Sequence, residues 1–88
     1  MAWRIELTET ARRQLRRLDR SEAKRITTFL RDRLATTHDP RSTGKALTGP
    51  LGSYWRYRVG DYRIICDIQD QALVIMVIAV GSRKDVYR

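Results

Sequence analysis

The sequence predicts a single α+β domain over residues 1–88, with an antiparallel sheet of about four strands and an N-terminal helical hairpin packed on one face. Two observations lead to this fold class. The spacing of apolar residues changes along the chain from two to about 3.6 and back to two, which indicates a strand, then helices, then strands. The chain is also short, and 88 residues bury only roughly 60% of their unfolded surface, so one modest core is expected.

The first third of the chain predicts one strand and two helices. Trp3–Leu7 alternates apolar and polar residues, as a half-buried strand does. Thr8 is a typical N-cap, and the apolar spacing after it predicts a first helix over about 9–18. Asp19 is the next N-cap, and the second helix ends at residues 38–40. Because almost no loop separates the two helices, we expect them to form a hairpin.

The remainder predicts a loop followed by strands. Residues 37–53 are rich in Thr, Ser, Gly and Pro and are typical of an irregular loop. After this loop the apolar period is two, and three strands are predicted over 54–59, 62–68 and 73–80. Gly60–Asp61 is typical of a two-residue hairpin turn with glycine first, which joins the first two of these strands. A polar tail, residues 81–88, follows the last strand.

The charge predicts the kind of partner. Lys and Arg number 18 against 10 Asp and Glu, which gives a net charge of +8 and a pI near 10.6. Most of these cations are arginine, whose planar guanidinium binds phosphate through two hydrogen bonds at once. We therefore expect a nucleic acid or an acidic protein as partner. The polar face of the first helix either docks on RNA or is only solvated, and its cations are Arg12, Arg13, Arg16 and Arg17.

We expect a cytoplasmic protein that does not enter a membrane. Cys66 is the sole cysteine, so no internal disulfide forms, as is usual in reducing compartments. The residues after Met1 lack the basic-then-apolar pattern of a secretion signal. The longest apolar run, residues 72–80, is about half the length that a membrane helix needs.

Three arginines of the predicted hairpin converge on one face of the sheet. Counting outward from a Gly60–Asp61 turn, Arg58 pairs with Arg63, and Arg56 lies two residues before Arg58 on the same face. Like charges directly opposite each other destabilise a sheet, which favours an anion that binds between them. The alternatives are that the side chains splay into water, or that Asp61 and Asp67 neutralise them. We call Arg56, Arg58 and Arg63 the arginine patch.

Other catalytic constellations are absent from the sequence. His38 is the one histidine, in a predicted loop, and with a single cysteine it cannot complete a zinc site. The glycines match neither of the common nucleotide-binding patterns. We therefore expect chemistry that depends on Arg, Lys and Tyr side chains, with no metal ion and no cofactor.

Three segments together are similar to one protein family. They are Leu47-Thr48-Gly49, the run from Trp55 to Arg63, and the run from Val80 to Tyr87. In this order, after a strand and a helical hairpin, they resemble the RelE/ParE toxin superfamily over essentially the whole chain. The resemblance implies a RelE-like fold and a toxin of a type II toxin–antitoxin system, which forms a hetero-oligomer with its cognate antitoxin.

In its RelE branch the resemblance implies a metal-independent, ribosome-dependent endoribonuclease that cuts mRNA. The ribosome and mRNA are then further partners, and Lys84 is a candidate RNA-binding cation. The ParE branch acts on DNA gyrase without nuclease chemistry and typically lacks a tyrosine at the chain's end. Tyr87 therefore favours the RelE branch, and a ParE-like gyrase inhibitor is the alternative. The active-site roles of the RelE branch fall on Arg56, Arg58, Arg63, Arg83 and Tyr87.

Two departures from the RelE pattern bear on the mechanism. The positions of Arg56 and Arg58 are often lysine in that branch, and Ser82 stands where many relatives carry histidine. Arginine stays protonated at physiological pH and is a poor general base. In the reaction that the resemblance implies, the 2′-hydroxyl of the RNA attacks the adjacent phosphate. Either the arginine cations activate this hydroxyl electrostatically, or Lys84 or Tyr87 assists. A degenerate toxin that binds RNA but lacks a base is the third hypothesis.

Overall fold

A computed structural model describes residues 2–47 and 53–82 of the chain. A helical layer covers one face of a five-stranded sheet, and the α+β class is therefore confirmed. The four predicted strands begin and end within two residues of their expected positions. The elements are β1 Arg4–Leu7, α1 Glu9–Arg16, α2 Arg20–Thr28, a π-helical turn Phe29–Leu34, a 3-10 turn Pro40–Ser42, β2 Lys45–Ala46, β3 Trp55–Val59, β4 Tyr62–Gln69 and β5 Val74–Ser82.

Thr8 starts the first helix and also ties it to the sheet. Its hydroxyl oxygen accepts the backbone N–H of Ala11 at 3.1 Å, which satisfies one of the free donors at the start of α1. The same hydroxyl donates to the carbonyl of Ile78 in β5 at 2.9 Å. The predicted N-cap is therefore confirmed, and it fixes where α1 crosses the last strand.

The second helix buries one apolar stripe and then widens. Ile26, Leu30 and Leu34 follow one another at intervals of four residues, and each is at most 3% exposed. From Phe29 onward the helix is π-helical, and the N–H of Ala35 donates to the carbonyl of Leu30, five residues earlier, at 2.9 Å. π-helical turns inside helices often lie at functional sites.

The sheet differs from the prediction in one strand direction and in strand number. Its order is β1-β5-β4-β3-β2, and β1 runs parallel to β5, with Ile5 opposite Ile75. The other neighbours are antiparallel. Apolar alternation specifies which face a strand buries but not its direction, and only strands joined by tight hairpins are forced to be antiparallel. The fifth strand, β2, lies within the segment that was predicted to be an irregular loop.

The core lies between the helices and one sheet face. The helices contribute Ala11 and the α2 stripe, and the ring of Phe29 lies 5.9 Å from that of Tyr57 at an angle of 54°. Cys66 is fully buried there, and burial raises the pKa of its thiol to about 12. The strand residues of this core are Tyr57, Ile64, Cys66, Ile75, Val77 and Val80.

A β-bulge in β5 aligns the end of that strand with the β3–β4 hairpin. Ile65 pairs with Ala79 but Cys66 pairs with Val77, so Ile78 is the extra residue. α1 satisfies the backbone near the bulge, since the N–H of Val80 donates to the Gln14 side chain at 2.6 Å. No helix among the described residues is long and apolar enough to cross a membrane.

Candidate functional site

The hairpin register places the arginine patch as the sequence predicted. Arg58 lies opposite Arg63, and Arg56 lies opposite Ile65. Tyr57 and Ile64 belong to the core under the helices. Since successive residues of a strand point to opposite faces, the arginine patch belongs to the face away from the helices.

The two arginines of the central pair differ in burial. Arg58 is exposed, whereas Arg63 retains only 8% of its accessible surface. The Arg63 guanidinium donates to the carbonyl of Tyr62 at 3.4 Å. Across residues 2–47 and 53–82, no carboxylate forms an ion pair with Arg58 or Arg63. A buried cation without a counter-charge is costly, so this pair is suited to an anionic ligand.

The nearby aspartates do not neutralise the central pair. Asp67 accepts a hydrogen bond from the Gln69 side chain at 3.2 Å, and Asp61 is exposed in the turn. In the part of the chain that the structure describes, the ion pairs lie elsewhere and join Arg4 to Glu6, Arg16 to Glu9, Arg25 to Glu22, Arg31 to Asp32 and Arg41 to Asp70. The two alternatives that remain for Arg58 are an anion or water.

Residues 40–44, the segment just before β2, are held against the sheet beside the arginine patch. The Tyr57 hydroxyl donates to the carbonyl of Pro40 at 2.6 Å, and the Trp55 indole N–H donates to the carbonyl of Thr43 at 2.7 Å. Gly44 has a φ of +77°, and a Cβ there would lie 2.5 Å from the carbonyl oxygen of Arg56, so glycine is required. These contacts hold β2 along the edge of β3.

A long-range ion pair also holds residues 40–44. Two hydrogen bonds of 2.9 Å join the Arg41 guanidinium to the Asp70 carboxylate in the β4–β5 turn. The hydrogen bonds from Arg41 lower the pKa of Asp70. Three residues of this segment, Pro40, Arg41 and Thr43, are thus bonded to the sheet or to its β4–β5 turn.

Lys45 is a residue of this surface that the sequence pattern did not predict. Its position in β2 lies directly opposite Arg56, and its side chain is exposed. Residues directly opposite in an antiparallel pair share a face. The pattern offered no signal for it, because residues 37–53 lack periodicity and β2 has only two residues.

A cavity of about 410 Å³ lies at the free edge of β3, beside the patch. It is bordered by the π-helical turn, by the residues just before β2, and by β3 itself. β2 pairs only with Trp55 and Arg56, so the edge from Tyr57 onward is not covered by any described strand. The cations in its lining are Arg33, Lys45, Arg56 and Arg58.

The structure separates the predicted helical cations from the arginine patch. α1 packs on the core face, where Ala11 is its buried residue. All four of the predicted cations are exposed, and Arg16 lies 3.5 Å from Glu9. They form a second basic surface on the helical layer, consisting of Arg12, Arg13, Arg16 and Arg17.

The C-terminal candidates Arg83, Lys84 and Tyr87 lie outside the described residues. Ser82, the last residue of β5, lies opposite Tyr62. Gly81 lies opposite Arg63 and presents no side chain there.

Burial removes two other groups from consideration as acid or base. Desolvation raises the pKa of the Tyr57 hydroxyl and that of the Cys66 thiol. The Tyr57 hydroxyl also donates a hydrogen bond to the carbonyl of Pro40. Both belong to the core. Within residues 2–47 and 53–82 there is also no group of three His, Cys, Asp or Glu side chains close enough to hold a metal ion.

A family model and a curated relative both match this chain, and both are toxins. The family model described as the ParE toxin of the type II toxin–antitoxin system parDE matches residues 5–87. Toxin RelG of Mycobacterium tuberculosis is 30% identical over 88 residues, covering 100% of this chain and 99% of RelG.

Solved structures show the same fold. A chain of the toxin–antitoxin complex RelBE2 from Mycobacterium tuberculosis superposes with a TM-score of 0.86 at 27% identity, covering 97% of this chain and 95% of that one. The isolated E. coli RelE toxin has a TM-score of 0.72 at 22% identity, with 98% and 92% covered, and supports the fold. The chain therefore belongs to the RelE/ParE family of toxins of type II toxin–antitoxin systems.

Proposed function

We propose that this toxin is a metal-independent, ribosome-dependent endoribonuclease that cuts mRNA. The observation that supports it best is the cross-strand pair Arg58–Arg63, in which Arg63 is 8% exposed and neither arginine has a carboxylate partner among the described residues. A phosphodiester supplies the missing negative charge, and its non-bridging oxygens match the donors of guanidinium groups.

In the proposed reaction, the 2′-oxygen of the RNA attacks the adjacent phosphorus. The bond from phosphorus to the 5′-oxygen of the next nucleotide breaks, which leaves a 2′,3′-cyclic phosphate and a 5′-hydroxyl. The 2′-hydroxyl proton passes to solvent, or to Lys84 or Tyr87 if one of them assists, and the leaving 5′-oxygen gains a proton. No oxidation or reduction occurs, and the products carry the same atoms as the substrate.

The arginines act on the charge that develops at the phosphate. Arg58 and Arg63 hold the phosphate with Arg56 beside them, and each well-placed donor contributes about 3–4 kcal/mol to the transition state. Arg83 stabilises the leaving oxygen. Tyr87 stacks on a base and holds the in-line geometry, which contributes about 1–3 kcal/mol.

The ribosome and an antitoxin are the two other macromolecular partners in this proposal. The exposed cations of α1 dock on ribosomal RNA, so the helical layer faces the ribosome while the opposite sheet face receives the message. An antitoxin binds and inhibits the toxin in a hetero-oligomer in the cytoplasm, and similar solved structures are toxin–antitoxin complexes. To cover a chain of net charge +8, that antitoxin is acidic where it touches this one.

A ParE-like gyrase inhibitor without nuclease chemistry is the second candidate. The observation that favours it is the matching family model, whose description is that of a ParE toxin. Such a protein needs a surface for an acidic partner but no group beside a scissile phosphate.

Mapping message ends after incubation with translating ribosomes tests the proposal. Cuts in phase with codons, lost in Arg58→Ala, support the nuclease. Loss of DNA supercoiling without cuts supports the gyrase inhibitor. If the protein has neither effect, it is a degenerate toxin.

A second experiment compares two variants of Tyr87. Stacking requires the aromatic ring, so Tyr87→Ala lowers the cleavage rate more than Tyr87→Phe. Equal losses make the hydroxyl a chemical participant, and no loss in either removes Tyr87 from the site.

A further inference from the structure

The cavity beside β3 has a strongly one-sided charge. Four cationic residues line it and no acidic residue does, although the chain has ten acidic residues. Arg33 and Lys45 are both exposed, and neither forms an ion pair with any described residue. Cations gathered around one concave space raise the local concentration of anions.

The cavity is continuous with the arginine patch. Arg56 and Arg58 belong to both, and their positions in β3 are about 7 Å apart at the usual rise of a strand. Lys45 lies directly opposite Arg56 and extends the row of cations by one strand. A strand of RNA held at Arg58 and Arg63 therefore has a second cationic position next to it.

The cavity also offers an apolar wall that is held in place. Phe29 is half-buried and packs against Tyr57, which is 1% exposed and hydrogen-bonded to Pro40. The π-helical turn brings both Phe29 and Arg33 to the cavity. Cations combined with an aromatic ring are typical of sites for single-stranded nucleic acid. A volume of about 410 Å³ is also in the usual range for small-ligand sites.

We propose that this cavity is a subsite for the nucleotide next to the cleaved phosphate, with Arg33 and Lys45 as ligands of its phosphate. The inference rests on the proposed function, because it takes single-stranded RNA as the ligand. It extends the site from one phosphate to two. It also assigns roles to two residues outside the arginine patch.

Two double variants with the same change of net charge test the subsite. Arg33→Ala/Lys45→Ala removes its phosphate ligands. Lys24→Ala/Arg31→Ala is the matched control, since both residues are exposed, lie on the same helical segment as Arg33, and are absent from the cavity lining. The probe is a 2′-O-methyl RNA hexanucleotide, which cannot be cleaved, and binding is followed by fluorescence anisotropy from low to moderate salt.

We expect the subsite variant to bind the hexanucleotide about tenfold more weakly, as when a charged hydrogen bond is removed. Its plot of log affinity against log salt should be shallower by about 0.7 for each phosphate that the protein no longer neutralises. The control should stay within about twofold of the unmodified protein. Equal weakening in both variants means general electrostatic attraction and overturns the proposal, as does no weakening in either.

A third measurement separates RNA from an acidic protein ligand. If the subsite variant keeps its affinity for RNA but binds the cognate antitoxin more weakly, the cavity is a protein-binding site and the proposal is wrong. Failure of the nuclease function is distinguishable, because anisotropy requires no cleavage. If the subsite variant binds RNA selectively more weakly but the protein never cuts RNA, the subsite proposal stands and the nuclease proposal is wrong. If cleavage depends on Arg58 but not on Arg33 and Lys45, the nuclease proposal stands and the subsite proposal is wrong.

Discussion

The two faces of the β3–β4 hairpin are built from the same stretch of chain and carry opposite chemistry. On the inner face, Tyr57 and Ile64 are opposite each other and are at most 1% exposed beneath the helices. On the outer face, Arg58 and Arg63 are opposite each other without a carboxylate partner among the described residues. Neighbouring residues in one strand therefore alternate between the apolar core and a cationic surface.

Burial alone does not distinguish the two faces. Arg63 is 8% exposed, which is close to the burial of the core residues. The difference lies in what burial does to each side chain: it stabilises an apolar group by about 1.5–3 kcal/mol, whereas it penalises a cation that has no counter-charge. The outer face keeps a costly arrangement, and the phosphate of the proposed substrate would relieve that cost.

The largest expected effect is on the inner face. Ile64→Ala removes a fully buried side chain from the centre of the core and should lower the free energy of unfolding by about 2–5 kcal/mol. Urea unfolding at pH 7 measures it. A decrease below about 0.5 kcal/mol would show that the stability of the core does not depend on this position, and would contradict the structural role assigned to the inner face.

Arg63→Ala, one residue away, should act on activity and not on stability. We expect a cleavage rate about 100- to 1000-fold lower, with the free energy of unfolding unchanged or higher, because a buried cation is removed. Cleavage of a ribosome-bound message and urea unfolding measure the two quantities. Lys24→Ala, on the exposed face of α2, is the control for removal of one positive charge. A variant that unfolds, or that cuts at the normal rate, contradicts the assignment of the outer face.

The inner face should also make the protein sensitive to alkali. Burial raises the pKa of Cys66 from its usual value of 9.0 to about 12, so between these values the folded state retains a proton that the unfolded state has lost. The stabilisation is complete below pH 9 and falls as pH rises, by at most about 1.4 kcal/mol per pH unit. Burial shifts the pKa of Tyr57 in the same direction.

Urea unfolding between about pH 8 and 11 measures this dependence, and Cys66→Val should make it less steep because the titrating thiol is gone. The variant's absolute stability is not the readout, since valine changes the packing as well. An identical slope in both proteins would mean that the thiol does not contribute.

The smallest expected effect concerns repulsion on the outer face. Arg58→Glu converts a pair of like charges into a pair of opposite charges and should raise the free energy of unfolding by about 0.2–1 kcal/mol, while cleavage is abolished. Thermal unfolding at low salt, where charge effects are least screened, measures it. If Arg58→Gln stabilises as much as Arg58→Glu, removal of repulsion suffices. If neither variant stabilises the protein, the two guanidinium groups do not repel each other in the free toxin.

Local pattern was enough to predict the hairpin and its arginine pair. A period of two assigns residues to faces, and a two-residue turn at Gly60–Asp61 leaves one register, so Arg58 opposite Arg63 followed from counting. The same local rules predicted the Thr8 N-cap and the apolar stripe of α2. The resemblance to RelE/ParE toxins, confirmed by the family match, rested on short segments in a fixed order.

Contacts between distant segments were decided only by the tertiary structure. The sequence alone determined the α+β class, the basic character and the arginine patch, because these depend on neighbours in the chain. It did not determine that β1 runs parallel to β5, that Lys45 lies opposite Arg56, or that Arg33 borders the same cavity. Each of these depends on packing and on long-range hydrogen bonds, such as those of Tyr57 to Pro40 and Arg41 to Asp70. Such contacts produce no periodic pattern of residues in the sequence. Periodicity specifies which face a residue occupies, whereas only the closure of long loops specifies which other residues share that surface.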